Sequence, residues 1–292
     1  MAIWNLGSIN IDHVYRLNHL PRPGETLAAT TYSVGLGGKG ANQSIAAARA
    51  GAATLHLGGM SGADNWVVDR LTSYGVQTHL LQRHADQVTG HAIILLDSTG
   101  ENSIVIHPGA NRQLDSGTLA KALSGLGKGD TLLLQNETSH QVEAARTARE
   151  RGARVIYSAA PFDLQAVHEI LPYVSVLAMN AGEAEQLFKA MPGDIPVDGL
   201  LITRGAEGAE YRDMETGQVT RQSAFAVEPV DTTGAGDTFA GYFAAGLDRG
   251  DTVATALELA SAAAALKVTR PGAGDAIPSY DEVQAFLHAN LR

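Results

Sequence analysis

The stretch Asp231-Thr232-Thr233-Gly234-Ala235-Gly236-Asp237-Thr238 places three small residues directly before an acid and an apolar helical run, Phe239, Tyr242, Phe243 and Leu247. Small residues let a backbone turn tightly and present consecutive N–H groups. A helix beginning there adds its unpaired amides and the positive end of its dipole. The result is an anion hole with a carboxylate, Asp237, at its mouth, where anion binding alone would not put one. That combination suits a phosphoryl acceptor site: the amides stabilise charge developing on a transferring phosphate, and the acid takes a proton from the attacking hydroxyl. An Asp-capped helix after a glycine turn uses the same residues without any chemistry. Glycine motifs recur by chance, so this stretch alone leaves both readings open.

A second glycine-rich stretch, Gly35-Leu36-Gly37-Gly38-Lys39-Gly40-Ala41-Asn42-Gln43, precedes an alanine-rich helix expected over residues 44–50 and closed by Gly51. Its glycines fit the dinucleotide-binding spacing, but that fingerprint requires an acid about 20 residues on. No Asp or Glu lies between Glu25 and Asp64. What remains is a close approach of backbone to a small polar ligand, with Lys39 and Asn42 pointing into a site; a tight turn with Lys39 in solvent is the alternative. No Gly-x-x-x-x-Gly-Lys-Ser/Thr run occurs, which excludes a P-loop nucleotide hydrolase.

Elements must bring these stretches together. Apolar runs at residues 2–6 and 54–58 read as buried strands, and residues 76–81 as a further strand. Between the first two, residues 12–34 mix polar and β-branched types, with a strand expected over 26–34, so they read as an excursion from the core. Residues 90–96 and 102–107 flank Asp97-Ser98-Thr99-Gly100 as a β-hairpin that joins the excursion in a small sheet. His91 and His107 there lack metal-ligand spacing. From Leu114 the rhythm is α/β: helices over 114–126, 140–151, 163–171 and 181–190 alternate with strands over 130–135, 154–158, 174–179 and 200–203. This predicts an α/β fold, a parallel sheet with helices on both faces. Residues 209–227 read as short antiparallel strands, and helices are expected after Asp237, over 252–266 and over 280–291.

In open α/β sheets ligands gather beyond the carboxyl ends of the strands. The polar residues expected there are Asn10 and Asp12, Asn136 and Glu137, Asn180 with Glu183, and Thr203 with Gly205. Glu183 in a first helical turn is favoured by the dipole in any protein; as a functional pair, Asn180 and Glu183 could orient water around a phosphate-bound Mg²⁺.

Composition sets the outer limits. The 292 residues suffice for one large α/β domain, and 45% are apolar, enough for a sizeable core. A net charge of −10 argues against nucleic acid or an anionic membrane as the main partner. With no cysteine there is no disulfide, thiol nucleophile or thiolate metal site. Residues 1–7 read as a strand rather than a leader, and no apolar run reaches spanning length, so a cytoplasmic protein is expected.

Taken together, Gly37-Gly38-Lys39-Gly40-Ala41-Asn42 and Asp231-Thr232-Thr233-Gly234-Ala235-Gly236-Asp237-Thr238-Phe239 resemble the two signatures of the PfkB, ribokinase-type, carbohydrate kinases. The resemblance extends in order through Gly7-Ser8-Ile9-Asn10-Ile11-Asp12, Pro23-Gly24-Glu25-Thr26, Gly100-Glu101-Asn102, Ile106-His107-Pro108-Gly109-Ala110-Asn111, Asn180 with Glu183, Leu201-Ile202-Thr203-Arg204-Gly205 and Val268-Thr269-Arg270-Pro271-Gly272, nearly the whole chain. It implies a three-layer sandwich with a mainly parallel central sheet, a single kinase domain over 1–292, and a small β-sheet lid from about 12–36 and 88–108 that often forms a homodimer interface. It implies ATP-dependent phosphorylation of a sugar hydroxyl, with Mg²⁺. By that likeness Asp237 is the base and Gly234, Ala235 and Gly236 form the anion hole. Asn10, Asp12, Gly38, Lys39, Asn42 and Glu137 surround the sugar. Asn180, Thr203, Gly205, Gly208, Gly236 and Ser261 line the nucleotide, and Glu183 reaches the Mg²⁺ region through water.

Ribose is the substrate that Asp12, the glycine-lysine block and Glu137 resemble most. Another pentose, a ketohexose or a nucleoside is the alternative, and a non-catalytic sugar- or nucleotide-binding regulator the alternative of a different class. Two departures bear on cofactors. The resemblance implies a monovalent-cation (K⁺) loop through Asp231, Thr233, Lys267, Arg270, Gly272 and Ala276. Lys267 stands where a small residue is usual and Ala276 where a Ser hydroxyl is usual, so an ammonium competes with K⁺ and a ligand is missing; little dependence on K⁺ is expected. A third departure is Ser158-Ala159-Ala160-Pro161, where ribokinases usually carry Asn-Pro-Ala-Pro.

Overall fold

Ile3, Leu6, Leu132, Leu133, Leu134, Leu200, Leu201 and Ile202 are all buried, and strands with no polar face belong in the middle of a sheet covered on both sides. The computed structural model, which describes residues 1–290, has that arrangement. The chain begins with β1 (Ile3–Leu6), β2 (Asn10–Arg16), β3 (Thr31–Gly37), α1 (Lys39–Arg49), β4 (Thr54–Leu57), β5 (Gly59–Ser61), α2 (Asn65–Ser73), β6 (Val76–Gln77), β7 (Gln82–His84), β8 (Gly90–Leu96) and β9 (Asn102–His107). It continues with α3 (Ser116–Leu123), β10 (Thr131–Gln135), α4 (Gln141–Glu150), β11 (Arg154–Ser158), α5 (Leu164–Ile170), β12 (Val176–Asn180), α6 (Ala181–Ala190) and β13 (Gly199–Thr203). The described chain closes with β14 (Ala209–Asp213), β15 (Val219–Gln222), α7 (Ala235–Arg249), α8 (Val253–Val268) and α9 (Tyr280–Asn290).

Nine strands form the central sheet in the order β15-β14-β13-β12-β11-β10-β1-β4-β6. The run from β13 to β6 is parallel, and β14 and β15 add an antiparallel edge. One apolar core packs α1, α2, α7, α8 and α9 on one face; the other packs α3, α4, α5 and α6 opposite. The fold is therefore the expected three-layer α/β sandwich. A separate four-stranded sheet, β3-β2-β8-β9, joins the excursion to the hairpin. No helix among the described residues is long and apolar enough to cross a membrane.

The chain leaves β1 toward β4 and later returns to β10 on β1's other side, so the sheet order reverses between β1 and β10. Crevices open at such switch points. Gly7-Ser8 and Asn136-Glu137 lie just past those two strands.

Several boundaries differ from expectation. The helix expected over 44–50 starts at Lys39, because Gly38, at φ 94°, turns the chain without a side-chain cap. Gly40 sits in its first turn because a Cβ there would collide with the Gly7 and Ser8 backbone. The strand expected over 26–34 is β3, which starts at Thr31 and runs on through Gly35 and Gly37. The strand expected over 76–81 stops at Gln77, where a turn takes over with Leu81 N–H bonded to Thr78 O at 3.1 Å. β5 and β7, a parallel pair, were not expected. The expected end of the last helix at Leu291 lies outside the described residues.

Candidate active site

Gly234 caps α7 in the left-handed region at φ 72°, with no side-chain cap. Asp237 is therefore the third helical residue and not the cap, so the plain Asp-cap reading fails. Ala235 N–H is taken by Thr232 O at 3.2 Å. The amides of Gly234, Gly236 and Asp237 have no protein acceptor among the described residues, which leaves them free for an anion.

Both oxygens of the Asp237 carboxylate are held from α1. Asn42 Nδ2 donates to Oδ2 at 3.1 Å and Gln43 Nε2 to Oδ1 at 3.2 Å. Gln43 is oriented in turn: its Oε1 accepts from Gln135 Nε2 at 2.8 Å, and the same amide donates to Asn5 Oδ1 at 2.9 Å. Asn5 Nδ2 donates to Gly40 O and Ser44 Oγ, and Ser44 bonds His56 Nδ1 at 2.7 Å. Burial pushes His56 down to about 4, so it is neutral at pH 7. A line of buried, hydrogen-bonded groups under the switch point thus fixes the amide face turned toward Asp237. Burial raises the Asp237 pKa, and Lys39, Asn42 and Gln43 work against that rise.

Lys39 stands among acids. Its Nζ lies 3.7 Å from Glu137 Oε1 and its backbone N–H donates to Glu137 Oε2 at 3.3 Å. Burial disfavours its charge, but Asp237, Glu137 and Glu183 outweigh burial and raise its pKa. Ser8 Oγ also donates to Glu137 Oε2, tying the end of β1 to the end of β10 across the switch point. Asp12 sits in β2 beside them. Burial first, then the Glu137 charge, raises it to about 6, with Lys39 opposing. Gly37, two residues along β3 from the Gly35 that faces Asp12, leaves room for its carboxylate: a Cβ there would overlap it. Asn10 is buried, its Oδ1 accepting from Asn111 Nδ2 at 2.9 Å. Gly38 lies against the Ser8–Asn10 backbone.

Two cavities meet at the start of α7. One, about 200 Å³, is lined by Lys39, Asn180, Glu183, Thr203, Gly234, Ala235, Gly236 and Asp237 among others. The second, about 380 Å³, is lined by Thr203, Gly205, Gly208, Phe225, Gly236 and Ser261 among others. They share Thr203, Thr232, Ala235, Gly236 and Phe239. The Ser261 hydroxyl is buried without a protein partner. Asn180 and Glu183 form a capping box, Asn180 Oδ1 accepting from Glu183 N–H at 2.9 Å and Glu183 Oε2 from Asn180 N–H at 2.8 Å. One Glu183 oxygen is thereby committed to the helix start. Burial raises the Glu183 pKa. No cluster of three His, Asp or Glu side chains suited to a metal occurs among the described residues. Asn10, Asp12, Gly38, Asn42 and Glu137 line neither cavity.

Of the implied cation-loop residues, Asp231 accepts from Thr233 N–H and Gly272 N–H, each at 2.9 Å. Arg270 points its guanidinium at Glu282, 2.8 Å away. Lys267 is fully buried and donates to Asp231 O at 2.8 Å.

Gln43, Ser8, Asn111, Gln135 and Phe225 were not singled out as site residues. Gln43, Ser8 and Asn111 stood inside stretches quoted above, and that placement was the available signal. Gln135 and Phe225 carried none.

A family model described as pfkB family carbohydrate kinase matches residues 3–279. A ribokinase of Haemophilus influenzae is 32% identical over 299 residues, 97% of either chain. The solved ribokinase of Thermotoga maritima superposes with a TM-score of 0.89 at 32% identity, over 99% of both chains. The ribokinase of Arabidopsis thaliana complexed with ribose and ATP gives 0.85 at 29% identity, over 98% of this chain and 99% of that one. A family match over nearly the whole chain, on this fold and around these two cavities, places the protein in the pfkB family of carbohydrate kinases.

Proposed function

We propose that the protein transfers the γ-phosphate of ATP to a hydroxyl of ribose, giving ribose 5-phosphate. The observation that carries this is the position of Asp237. It is a half-buried carboxylate held by two amides, beside free N–H groups, and it lines the smaller of the two cavities that meet at the start of α7. As a pfkB family carbohydrate kinase, the protein is a phosphotransferase with an alcohol acceptor.

In this reading Asp12, Asn10, Gly38, Lys39, Asn42 and Glu137 hold the sugar, a ligand whose many hydroxyls need fixed acceptors and donors. Asp237 accepts the proton of the attacking hydroxyl, whose oxygen forms the new O–P bond as the bond to the ADP oxygen breaks. The free amides of Gly234, Gly236 and Asp237 take the charge on the phosphoryl oxygens, whereas the Ala235 amide, expected to join them, is already bonded to Thr232 O. Thr203, Gly205, Gly208, Gly236, Ser261 and Asn180 receive the nucleotide. Mg²⁺, when bound to the phosphates, neutralises part of their charge; Glu183 would hold its water, since no cluster among the described residues is built to grip the ion alone. The ribose assignment is supported by the ribokinase relatives and by Asp12 and Glu137 beside Lys39.

The four-stranded sheet is read as a lid over the sugar and as the contact of a homodimer. Ile104, Val105 and Ile106 on β9 are 50%, 64% and 57% exposed, an apolar edge that a second copy would cover. The cytoplasm, where ATP is made available, is the expected compartment.

A panel of pentoses, ketohexoses and nucleosides with ATP and Mg²⁺ tests the substrate. Ribose should give the highest kcat/KM; no turnover of ribose beside a good second acceptor contradicts the assignment.

A further inference from the structure

The loop that leads into α7 is fastened by a charged side chain that the phosphoryl-transfer reading does not use. Lys267, near the end of α8, has no solvent exposure. Its Nζ donates to Asp231 O at 2.8 Å and lies 4.0 Å from Asp231 Oδ1. The Asp231 carboxylate reaches onward to Thr233 N–H and Gly272 N–H, and the amides of Val230 and Asp231 both bond Val268 O. The ammonium, bonded to Asp231, and these backbone bonds together tie the end of α8 to residues 230–233, and Gly234 follows directly as the cap of α7.

A buried charge persists only where it is paired and hydrogen-bonded. Lys267 meets that condition with a carbonyl and a carboxylate, the donor types a hard monovalent cation would also need. The implied K⁺ does not fit beside it. The Asp231 carbonyl is already engaged, a second positive charge a few ångströms off is repelled, and Ala276 offers no hydroxyl.

We infer that the Lys267 ammonium is this chain's own fixed cation, a positioning residue that sets Asp231–Thr233 and so aims the free amides at the start of α7. The positioning part rests on the proposed role of those amides in phosphoryl transfer; the cation part does not.

The test compares thermal unfolding and turnover in KCl and in choline chloride at matched ionic strength. It uses the full chain as wild type, Lys267→Ala and Lys267→Met. Wild type should unfold at the same temperature and turn over at the same rate in both salts; a rise of either in KCl overturns the inference without needing any variant. Lys267→Ala vacates the site and should lose roughly 10–100-fold in turnover in choline chloride through misplacement of the amides. KCl should recover part of that loss and raise its unfolding temperature. Lys267→Met keeps the stem but no charge, and should be impaired and unresponsive to K⁺. A folded Lys267→Ala that matches wild type in both salts, or is impaired with no response to K⁺ in unfolding temperature, contradicts the account. Should Lys267→Ala fail to fold, the wild-type comparison and Lys267→Met still decide. If no acceptor is phosphorylated by wild type, the unfolding comparison alone tests the cation.

Discussion

Gln43 and Asp237 are 194 positions apart, yet Gln43 Nε2 donates to Asp237 Oδ1 at 3.2 Å. Gln43 cannot turn its other face to the acid without breaking its bond from Gln135. The pair thus fixes which Asp237 lone pairs stay open toward a substrate. Gln43→Leu removes one donor from a carboxylate that burial already pushes up. Turnover should fall roughly 10–100-fold, the worth of a hydrogen bond to a charged group. The acid limb of the kcat–pH profile should move to higher pH, because the ionised form has lost a donor. A profile that keeps its wild-type limb contradicts this role.

Gly37 lies where a side chain would overlap the Asp12 carboxylate. Gly37→Ala should displace Asp12 and lower kcat/KM for the sugar by roughly 10–100-fold, with KM for ATP near the wild-type value. Initial-rate measurements with each substrate varied in turn separate the two. An equal loss for both substrates would point to general damage.

Asp12 couples pH to stability. Its ordinary value is 3.8 and burial raises it to about 6 in the folded chain. The native state then holds the proton to higher pH than the unfolded state, so the favourable contribution is complete below 3.8 and is lost as pH rises through about 6. Asp12→Asn, permanently neutral, should be more stable than wild type at pH 7 by roughly 1–3 kcal/mol, a range reduced for partial exposure. That advantage should vanish near pH 4. Urea unfolding at the two pH values measures it, and a constant difference between them rules out the linkage. The same variant should bind sugar poorly, so the acid trades stability for recognition.

Much of this was legible before any fold was known. The regular alternation after Leu114 gave the parallel sheet and both helical layers, because buried strands and amphipathic helices carry different periods. The acids and amides at strand ends were found because open sheets place ligands there. The start of α1 was missed. Gly38 and Gly40 look like helix breakers, and only contact with the Gly7–Asn10 backbone explains them. That error hid Gln43, which read as loop although the first turns of α1 carry it beside Asn42 toward α7. The line from Gln135 through Asn5 to His56 joins three strands and a helix. A contact that depends on strand order leaves no local mark. Lys267 was noticed as a departure, but its reach to Asp231 O came only from the packing of α8.

The most direct measurement is single-turnover transfer of phosphate from ATP to ribose by wild type and Asp237→Asn, with ribose affinity measured calorimetrically on both. If Asp237 is the base, the variant should bind ribose comparably and transfer roughly 10²–10⁴-fold more slowly. Transfer at the wild-type rate would contradict the account at its centre.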